Sequence, residues 1–251
     1  IDSAHSSSLH SSDMTPARVD SAKATSNVWL RPSTDKAPRL VTEKTDYGFK
    51  YAAIRRPINN AATNDYVRIS VFVAPITVLI PPNNLYNVAN INVPIDDTHT
   101  MFHFIAWNER EPAGVDPEAW RKFCAAQVGI DVERDWRRKR TLANGYLQDR
   151  QAMKLGSFTG IPGIPNQDVV MWETMGPIAD RSRDRLGASD LAIVEFRRVM
   201  LEAVQSFAAG APAIGAAVPK AHLRSFEGVV PKGTEWRSLG EPAPQTAAAA
   251  D

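Results

Sequence analysis

The sequence predicts an α+β fold in which a curved antiparallel sheet carries helices packed on one side, a helix-grip-like arrangement. Its 251 residues are 43% hydrophobic and 23% charged, enough to bury the core of a large globular domain. Strand-like segments fill residues 42–107 with no long helical segment between them. Helical and loop-like segments follow residue 108, and this separation of strands from helices along the chain is typical of α+β proteins.

The two clearest strand predictions lie at residues 47–54 and 65–73. The first alternates aromatic with small or polar side chains, and the second alternates strictly. Because successive side chains of a strand point to opposite faces, the second segment has one apolar face and one mixed face that includes Tyr66 and Arg68. Both segments therefore fit a sheet that buries at least one face.

The strand pattern continues through residues 75–93. Two prolines and two asparagines at positions 81–84 predict a turn that divides this stretch into two strands. Residues 98–107 form another strand candidate. Five or so strands without intervening helices predict antiparallel pairing.

Helix signals begin with residues 117–129, which have a proline in the first turn and a glycine at the end. The Gly-Ile-Pro repeat at residues 160–165 predicts extended chain. A second helix is predicted from residue 168 to 187, kinked at Pro177.

A third helix is predicted over residues 190–207, with Ser189 as its N-cap. Its apolar side chains define a stripe that we expect to be buried. The stripe consists of Leu191, Ile193, Val194, Val199, Leu201, Val204 and Phe207.

Composition excludes several classes of function. The 29 basic and 28 acidic residues give a net charge of 29 − 28 = +1, and no basic block is present, which argues against nucleic-acid binding. A single cysteine, Cys124, excludes internal disulfides and thiolate-bound clusters within this chain. The longest apolar run, residues 69–80, is too short to span a bilayer. With no signal-peptide pattern at the first residues, we expect a cytoplasmic protein that is not bound to a membrane.

The densest group of chemically active residues is Asp2-x2-His5-x4-His10. Histidine is a common metal ligand, and two in one short segment can reach one ion. A straight helix separates positions five apart by about 140°, so a shared ion requires a bend, a π-bulge or a helix end between them. Asp2 is placed to accept the second imidazole N–H of His5. The alternative is a polar helix with two solvated histidines.

A second histidine pair fits a metal site less well. Asp97, His99, Met101 and His103 share one face of a strand, but strand residues four apart are separated by about 13 Å. Ordinary surface or core histidines are the favoured interpretation.

For three other charged residues, an ordinary structural role competes with a functional one. Asp168 opens an apolar helix, where N-capping would explain it. Arg68 lies on a mixed strand face and needs a carboxylate from the protein or from a ligand. Arg31 could pair with Asp35 at the surface, an arrangement that is common and weak.

The opening ten residues, IDSAHSSSLH, are similar to the iron-binding signature Asp-x2-His-x4-His of Rieske-type non-haem iron oxygenases. The stretch NQDVVMWETMGPIADRSRDRLGASD resembles a later segment of the phthalate dioxygenase branch, as do ARVDSAKAT, LRPSTDKAPR and IPPNNLYNVANINVPIDDTHT. The similarity covers essentially residues 1–240, in collinear order. By this resemblance the chain is identified as the catalytic domain of an oxygenase alpha subunit, and the low-complexity composition of residues 241–251 predicts a disordered tail.

The resemblance implies roles for particular residues. His5, His10 and Asp168 would be the facial triad of a mononuclear Fe(II). Asp2 matches the aspartate that links the iron to the Rieske 2Fe-2S cluster of a neighbouring subunit. Arg31 and Arg68 match two arginines that bind substrate carboxylates.

The implied reaction is cis-dihydroxylation of phthalate at the 4,5 positions with O2, in aromatic hydrocarbon catabolism. Electrons would come from NADH through a reductase that carries flavin and an iron–sulfur cluster, and the assembly would be a homotrimer or stacked trimers. Nothing in this chain supplies the Rieske ligands. The chain, which also lacks a starting Met, therefore resembles a catalytic domain cut from a longer subunit whose N-terminal Rieske domain is missing.

Two alternatives stay open at this point. The same iron chemistry could act on another aromatic carboxylate, or as an O-demethylating monooxygenase. Alternatively, a helix-grip fold can enclose a ligand with no metal and no catalysis.

Overall fold

A computed structural model describes residues 1–2, 4–21, 29–83, 86–109, 114–217 and 223–240. Its strands are β1 (Met14–Pro16), β2 (Trp29–Arg31), β3 (Arg39–Thr45), β4 (Gly48–Arg55), β5 (Asn64–Val73), β6 (Thr77–Asn83), β7 (Tyr86–Pro94), β8 (Thr100–Trp107) and β9 (Phe226–Pro231). Its α-helices are α1 (Pro117–Phe123), α2 (Arg150–Lys154), α3 (Ile164–Glu173) and α4 (Leu191–Ala208). The predicted tail at 241–251 lies outside the described residues.

The central sheet has seven antiparallel strands in the order β3-β4-β5-β6-β7-β8, and β9 pairs with β5. β1 and β2 form a separate parallel pair. The predicted α+β class and the antiparallel pairing are confirmed. The sequence analysis missed β3 as a separate strand and missed β9.

Of the turn predicted at positions 81–84, residues 81–83 lie in a strand instead, and residue 84 lies outside the described residues. Pro81 and Pro82 belong to β6, where the pairing with β7 shifts register between Ile80 and Asn83. An irregularity of this kind accommodates prolines, which cannot donate to a regular ladder.

The strict alternation of β5 gives two buried faces. On one face, Val67 and Ile69 pack with Ala52 and Trp236. On the other face the mixed set, Tyr66, Arg68, Ser70 and Phe72, is buried as well. The arginine therefore lies inside the molecule, so its charge requires a specific explanation.

The boundaries of two helices, α1 and α3, differ from the predictions. α1 ends at Phe123 rather than at residue 129, because Ala125 adopts a φ of 48° that an α-helix cannot continue. α3 begins at Ile164, so the last residues of the Gly-Ile-Pro repeat are helical and not extended. α3 ends at Glu173, and Pro177 therefore lies beyond the helix and does not kink it.

α4 has the predicted extent but buries a different face. Ser189 is not its N-cap, since it lies in a 3-10 helix over Ala188–Asp190. Ala192 and Val199 pack on Phe49 and Phe72, with Phe196 and Met200 beside them. Most of the predicted stripe is 39–64% exposed, which makes that prediction wrong: Leu191, Val194, Leu201, Val204 and Phe207.

Among the described helices, none has both the length and the apolar character that crossing a bilayer requires.

Candidate metal centre

The two N-terminal histidines lie on either side of a helix end. A 3-10 helix spans His5–Ser7, and the chain then turns through Leu9 to His10. His10 is 3% exposed, whereas the His5 side chain is 34% exposed. A helix end is one of the geometries that the spacing of five residues requires, and it turns both rings toward the same point.

Asp168 projects from the second turn of α3 toward the two imidazoles. Its Oδ1 lies 3.3 Å from His5 Nε2 and 3.1 Å from His10 Nε2, and the two Nε2 atoms are 3.2 Å apart. For metal–ligand bonds of about 2.1 Å, two ligands at right angles are separated by about 3.0 Å. The three donor atoms thus have the spacing of ligands on one face of a metal ion.

The electrostatics of this group favour a cation at its centre. Burial opposes ionisation of the Asp168 carboxyl group, but hydrogen bonds from His10 and His5 lower its pKa to about 2. Burial also opposes protonation of His5, yet Asp168 and Asp2 raise its pKa to about 9. The site favours ionised groups despite its burial, as is typical of functional sites.

Asp2 and Gln167 contact the outer nitrogens of the two imidazoles. Asp2 Oδ2 lies 3.5 Å from His5 Nδ1, while its Oδ1 accepts from the backbone N–H of Ala4 at 2.7 Å. Gln167 Oε1 lies 2.8 Å from His10 Nδ1. Contacts of this kind orient metal-ligating histidines.

The hydrogen bonds of Gln167 also fix the tautomer of His10. Gln167 Nε2 donates to Asp13 Oδ2 and to the carbonyl of Ile161, both at 2.8 Å, so the amide oxygen must face His10. His10 Nδ1 therefore donates to that oxygen, and the lone pair of the neutral ring is at Nε2, toward His5 and Asp168. The sequence analysis missed Gln167, because no spacing rule distinguishes it from its neighbours.

The N-cap interpretation of Asp168 is wrong, and the interpretation of His99 as an ordinary surface histidine is confirmed. Asp168 is not an N-cap, since Gly163 holds that position in α3. His99 lies in an exposed turn, where its Nδ1 is 2.9 Å from Asp96 Oδ1. Within the described ranges, His5, His10 and Asp168 are the only group of three or more His, Cys, Asp or Glu side chains that are spaced to hold a metal ion.

The structure buries both predicted substrate arginines. Arg31 is 2% exposed and does not form the surface pair with Asp35, because it donates to the carbonyls of Ser33 at 3.1 Å and Ser6 at 3.4 Å. Arg68 is 6% exposed and donates to the carbonyl of Pro81 at 3.3 Å. Arg31 therefore contacts the segment that carries the two histidines.

Two further buried charges were not singled out from the sequence. Arg55 donates from Nη2 to Ser7 Oγ at 3.2 Å, and Ser7 lies between the two histidines. Glu227 accepts a hydrogen bond from Ser21. The alternation of β4 places Arg55 on the face opposite Ile54, but alternation alone does not show that this face is buried.

A groove of about 750 Å³ opens beside His5. It lies between the N-terminal turn, the residues before β3 and the start of α4, and Lys36 and Arg39 line it. The centre is therefore accessible from the side of His5 and closed on the side of His10.

This chain is an α+β domain that brings two imidazoles and a carboxylate to one point, which places it in the class of candidate metal-binding proteins. Comparison with known proteins is consistent with that class. The family described as "LigXa C-terminal domain like" matches residues 1–250, and the chain belongs to this family.

The chain is also similar to curated oxygenase subunits. It is 64% identical over 240 residues to the phthalate 4,5-dioxygenase oxygenase subunit of Pseudomonas putida, covering 94% of this chain and 54% of that protein. It is 29% identical over 230 residues to the 3-chlorobenzoate-3,4-dioxygenase oxygenase subunit of Comamonas testosteroni, covering 84% and 52%. It is 29% identical over 198 residues to the 5,5'-dehydrodivanillate O-demethylase oxygenase subunit of a Sphingobium species, covering 75% and 39%. The chain thus spans about half the length of the first two relatives.

Proposed function

We propose that His5, His10 and Asp168 bind one mononuclear Fe(II) and that residues 1–240 form the catalytic domain of an aromatic-ring dioxygenase. The observation that carries this proposal is the triangle of donor atoms with sides of 3.1–3.3 Å. Two imidazoles and one carboxylate form the ligand set of non-haem Fe(II) oxygenases. The bound iron would supply the redox centre at which O2 is activated.

The chain's own residues orient the donors of this ligand set. Gln167 holds His10 with its lone pair at Nε2, and Asp2 lies at the outer nitrogen of His5. The low pKa of Asp168 keeps its carboxylate ionised at neutral pH. Three donors held by α3 and by the N-terminal turn need little rearrangement on binding, which favours affinity.

The proposed substrate is phthalate, hydroxylated at its 4,5 positions to a cis-dihydrodiol. Arg31 and Arg68 would bind its two carboxylates, because a guanidinium pairs with a carboxylate through two parallel hydrogen bonds. The identity of 64% to a phthalate 4,5-dioxygenase oxygenase subunit supports this choice. The names of the other two relatives support related aromatic substrates as alternatives, including O-demethylation.

The proposed electron supply lies outside this chain. With one cysteine in 251 residues, the chain cannot provide the ligands of a Rieske 2Fe-2S cluster. Asp2, whose side chain is 39% exposed and contacts His5, is the residue proposed to link the iron to such a cluster on a neighbouring subunit of a trimer. A flavin and iron–sulfur reductase would transfer the electrons from NADH, in the cytoplasm.

The proposal is tested by measuring turnover with the full-length protein that the gene encodes. Protein loaded anaerobically with Fe(II) is mixed with phthalate, NADH, an oxygenase reductase and O2. We expect the cis-4,5-dihydrodiol, with equal consumption of O2 and NADH. Asp168→Ala should abolish turnover, whereas His99→Ala, in the exposed turn, should not change it.

Other outcomes would contradict particular parts of the proposal. Conversion of 3-chlorobenzoate but not of phthalate would contradict the substrate, and release of formaldehyde from methoxylated aromatics would indicate the demethylase chemistry. Tight binding of phthalate without bound iron or turnover would indicate a ligand-binding module and contradict the enzyme.

A further inference from the structure

The Gly-Ile-Pro repeat at residues 160–165 leads directly into the turn of α3 that precedes Asp168. Both isoleucines of the repeat are buried. Its two glycines have φ values of 65° and 81°, a region of backbone conformation that residues with a side chain rarely adopt. Each proline fixes the φ of its own position. The repeat is therefore a rigid entry to the helix that carries a candidate metal ligand.

Each glycine of the repeat lies against the backbone at one end of another helix. Gly160 accepts a hydrogen bond at 2.9 Å from the backbone N–H of Asp149, the N-cap of α2, and a Cβ at Gly160 would overlap the carbonyl oxygen of Asp149. A Cβ at Gly163 would lie 2.5 Å from the carbonyl oxygen of Cys124, the C-cap of α1. Neither position can take a side chain unless one backbone segment moves away from the other.

Asn166 adds a hydrogen-bonded contact between the first turn of α3 and the end of α1. Its side chain is buried, and its Nδ2 donates to the carbonyls of Ala125 and Pro162, both at 3.1 Å. Ala125 follows α1 with a φ of 48°, and Pro162 belongs to the repeat. An amide group whose two N–H hydrogens both reach carbonyls in this way has one orientation. One side chain thus fixes α3 to α1 and to the repeat.

The position of α3 determines whether Asp168 meets the two candidate histidine ligands. The histidines belong to the N-terminal turn, whereas Asp168 lies two residues beyond Asn166 on α3. Between them is Gln167, whose Nε2 donates to the carbonyl of Ile161 in the repeat at 2.8 Å. The groups of a binding site must be held within about 0.5 Å of their working positions. A shift of α3 by more than that would therefore disrupt the triangle of donor atoms.

We propose that Asn166 is a positioning residue of the metal centre. Together with the Gly-Ile-Pro repeat it fixes the start of α3, and thereby the position of Asp168 relative to the histidines. The inference rests on the proposed function, because it assumes that Asp168 is a metal ligand. Asn166 acts through the backbone of α3 and contributes no ligand atom.

Binding of Co(II) to protein from which the mononuclear metal has been removed tests this role. The measured quantities are the dissociation constant and the EPR spectrum of the bound Co(II), which depends on its coordination geometry. Asn166→Leu keeps the approximate size of the side chain but removes both donors. It should raise the dissociation constant by about tenfold, the lower end of the effect typical of residues that orient metal ligands, and it should change the spectrum.

Val199→Ala is the control for lost stability. Val199 is buried between α4 and the sheet, at the apolar end of the molecule. Its truncation should lower the urea midpoint of unfolding, as Asn166→Leu does, but should leave the dissociation constant and the spectrum of Co(II) unchanged. A merely structural role of Asn166 predicts that the two variants bind Co(II) alike.

Gly163→Ala disrupts the same contact from the opposite side, because the added Cβ forces the start of α3 away from α1. It should also weaken Co(II) binding and change the spectrum. Gly176→Ala is the matched control. Gly176 follows the other end of α3 with a similar φ of 90°, but a Cβ there has no neighbour within 4 Å among the described residues. Both variants strain the backbone, and only the first displaces the end of α3 that carries Asp168.

The outcomes distinguish this inference from the proposed function. If wild-type protein binds no Co(II), or if Asp168→Ala binds it as tightly as wild type, the proposed function fails. If Asp168→Ala loses binding, a weaker affinity and an altered spectrum in Asn166→Leu or Gly163→Ala, relative to the matched control, support the positioning role. Affinities and spectra equal to those of the controls overturn it. If Asn166→Leu does not fold, the comparison of Gly163→Ala with Gly176→Ala decides.

Discussion

One face of the central sheet has two ends that are built differently. At one end Phe49 and Phe72 pack under Ala192 and Val199 of α4. At the other end lie Arg55 and Arg68, on the same two strands, and Arg55 contacts Ser7 in the segment that carries His5 and His10. Both ends are buried, but the first contains apolar side chains and the second contains charges.

This difference separates stability from function. Buried apolar area stabilises the fold by roughly 25 cal/mol per Å², whereas buried charges that lack full compensation destabilise it. Proteins retain features that cost stability mainly at functional sites, so we expect the charged end to serve a ligand. The apolar end should therefore determine the free energy of unfolding, and the charged end should determine what binds.

The largest expected effect is at the apolar end. Phe72→Ala should lower the free energy of unfolding by about 3–5 kcal/mol, because it leaves a cavity between β5 and α4. Phe207→Ala is the matched control, since Phe207 lies on α4 but is 64% exposed. It should change stability by less than about 0.5 kcal/mol. Urea unfolding measures both, and equal losses would remove the distinction between the two faces of α4.

A smaller effect is expected from Gln167, which fixes the tautomer of His10. Gln167→Leu should weaken Co(II) or Fe(II) binding by about 10–100-fold, as is typical when the residue that orients a metal ligand is lost. It should also change the visible spectrum of the Co(II) protein, because the orientation of the imidazole changes. Gln148→Leu, a glutamine outside the centre that bonds to the Thr159 carbonyl, is the control. Unchanged affinity and spectrum in Gln167→Leu would show that His10 does not depend on this amide.

The smallest effect on stability is expected at Arg68, and it has the opposite sign. Arg68→Met removes one buried charge and retains an apolar stem, so the free energy of unfolding should stay the same or rise by about 1 kcal/mol. Binding of phthalate should nevertheless be lost. A loss of stability as large as that of Phe72→Ala would mean that Arg68 serves the fold rather than a ligand.

The sequence predicts the local patterns of this fold better than their packing. The alternation over residues 65–73 identifies β5 and both of its faces, because a strand repeats every two residues. The periodicity of α4 identifies an apolar stripe, but of that stripe only Val199 belongs to the buried cluster on the sheet, together with Ala192, which the stripe did not include. Six-residue β9 pairs with β5 across more than 150 positions, and no local pattern indicates that pairing.

The candidate site shows the same limit. The spacing of His5 and His10 indicates a metal site, and the structure has one of the geometries that this spacing requires, a helix end between them. Asp168 enters from about 160 positions away, and only the family resemblance connects it to the histidines. Gln167 and Arg55 carry no recognisable spacing, because their contacts are tertiary.

Anomalous diffraction at the iron absorption edge, from crystals grown anaerobically with Fe(II), tests most directly whether these three side chains hold a metal. We expect a single strong peak about 2.0–2.3 Å from His5 Nε2, His10 Nε2 and an Asp168 carboxylate oxygen. A protein that crystallises in this fold with no peak there, or with iron only at a surface site such as the Asp96–His99 turn, would contradict it.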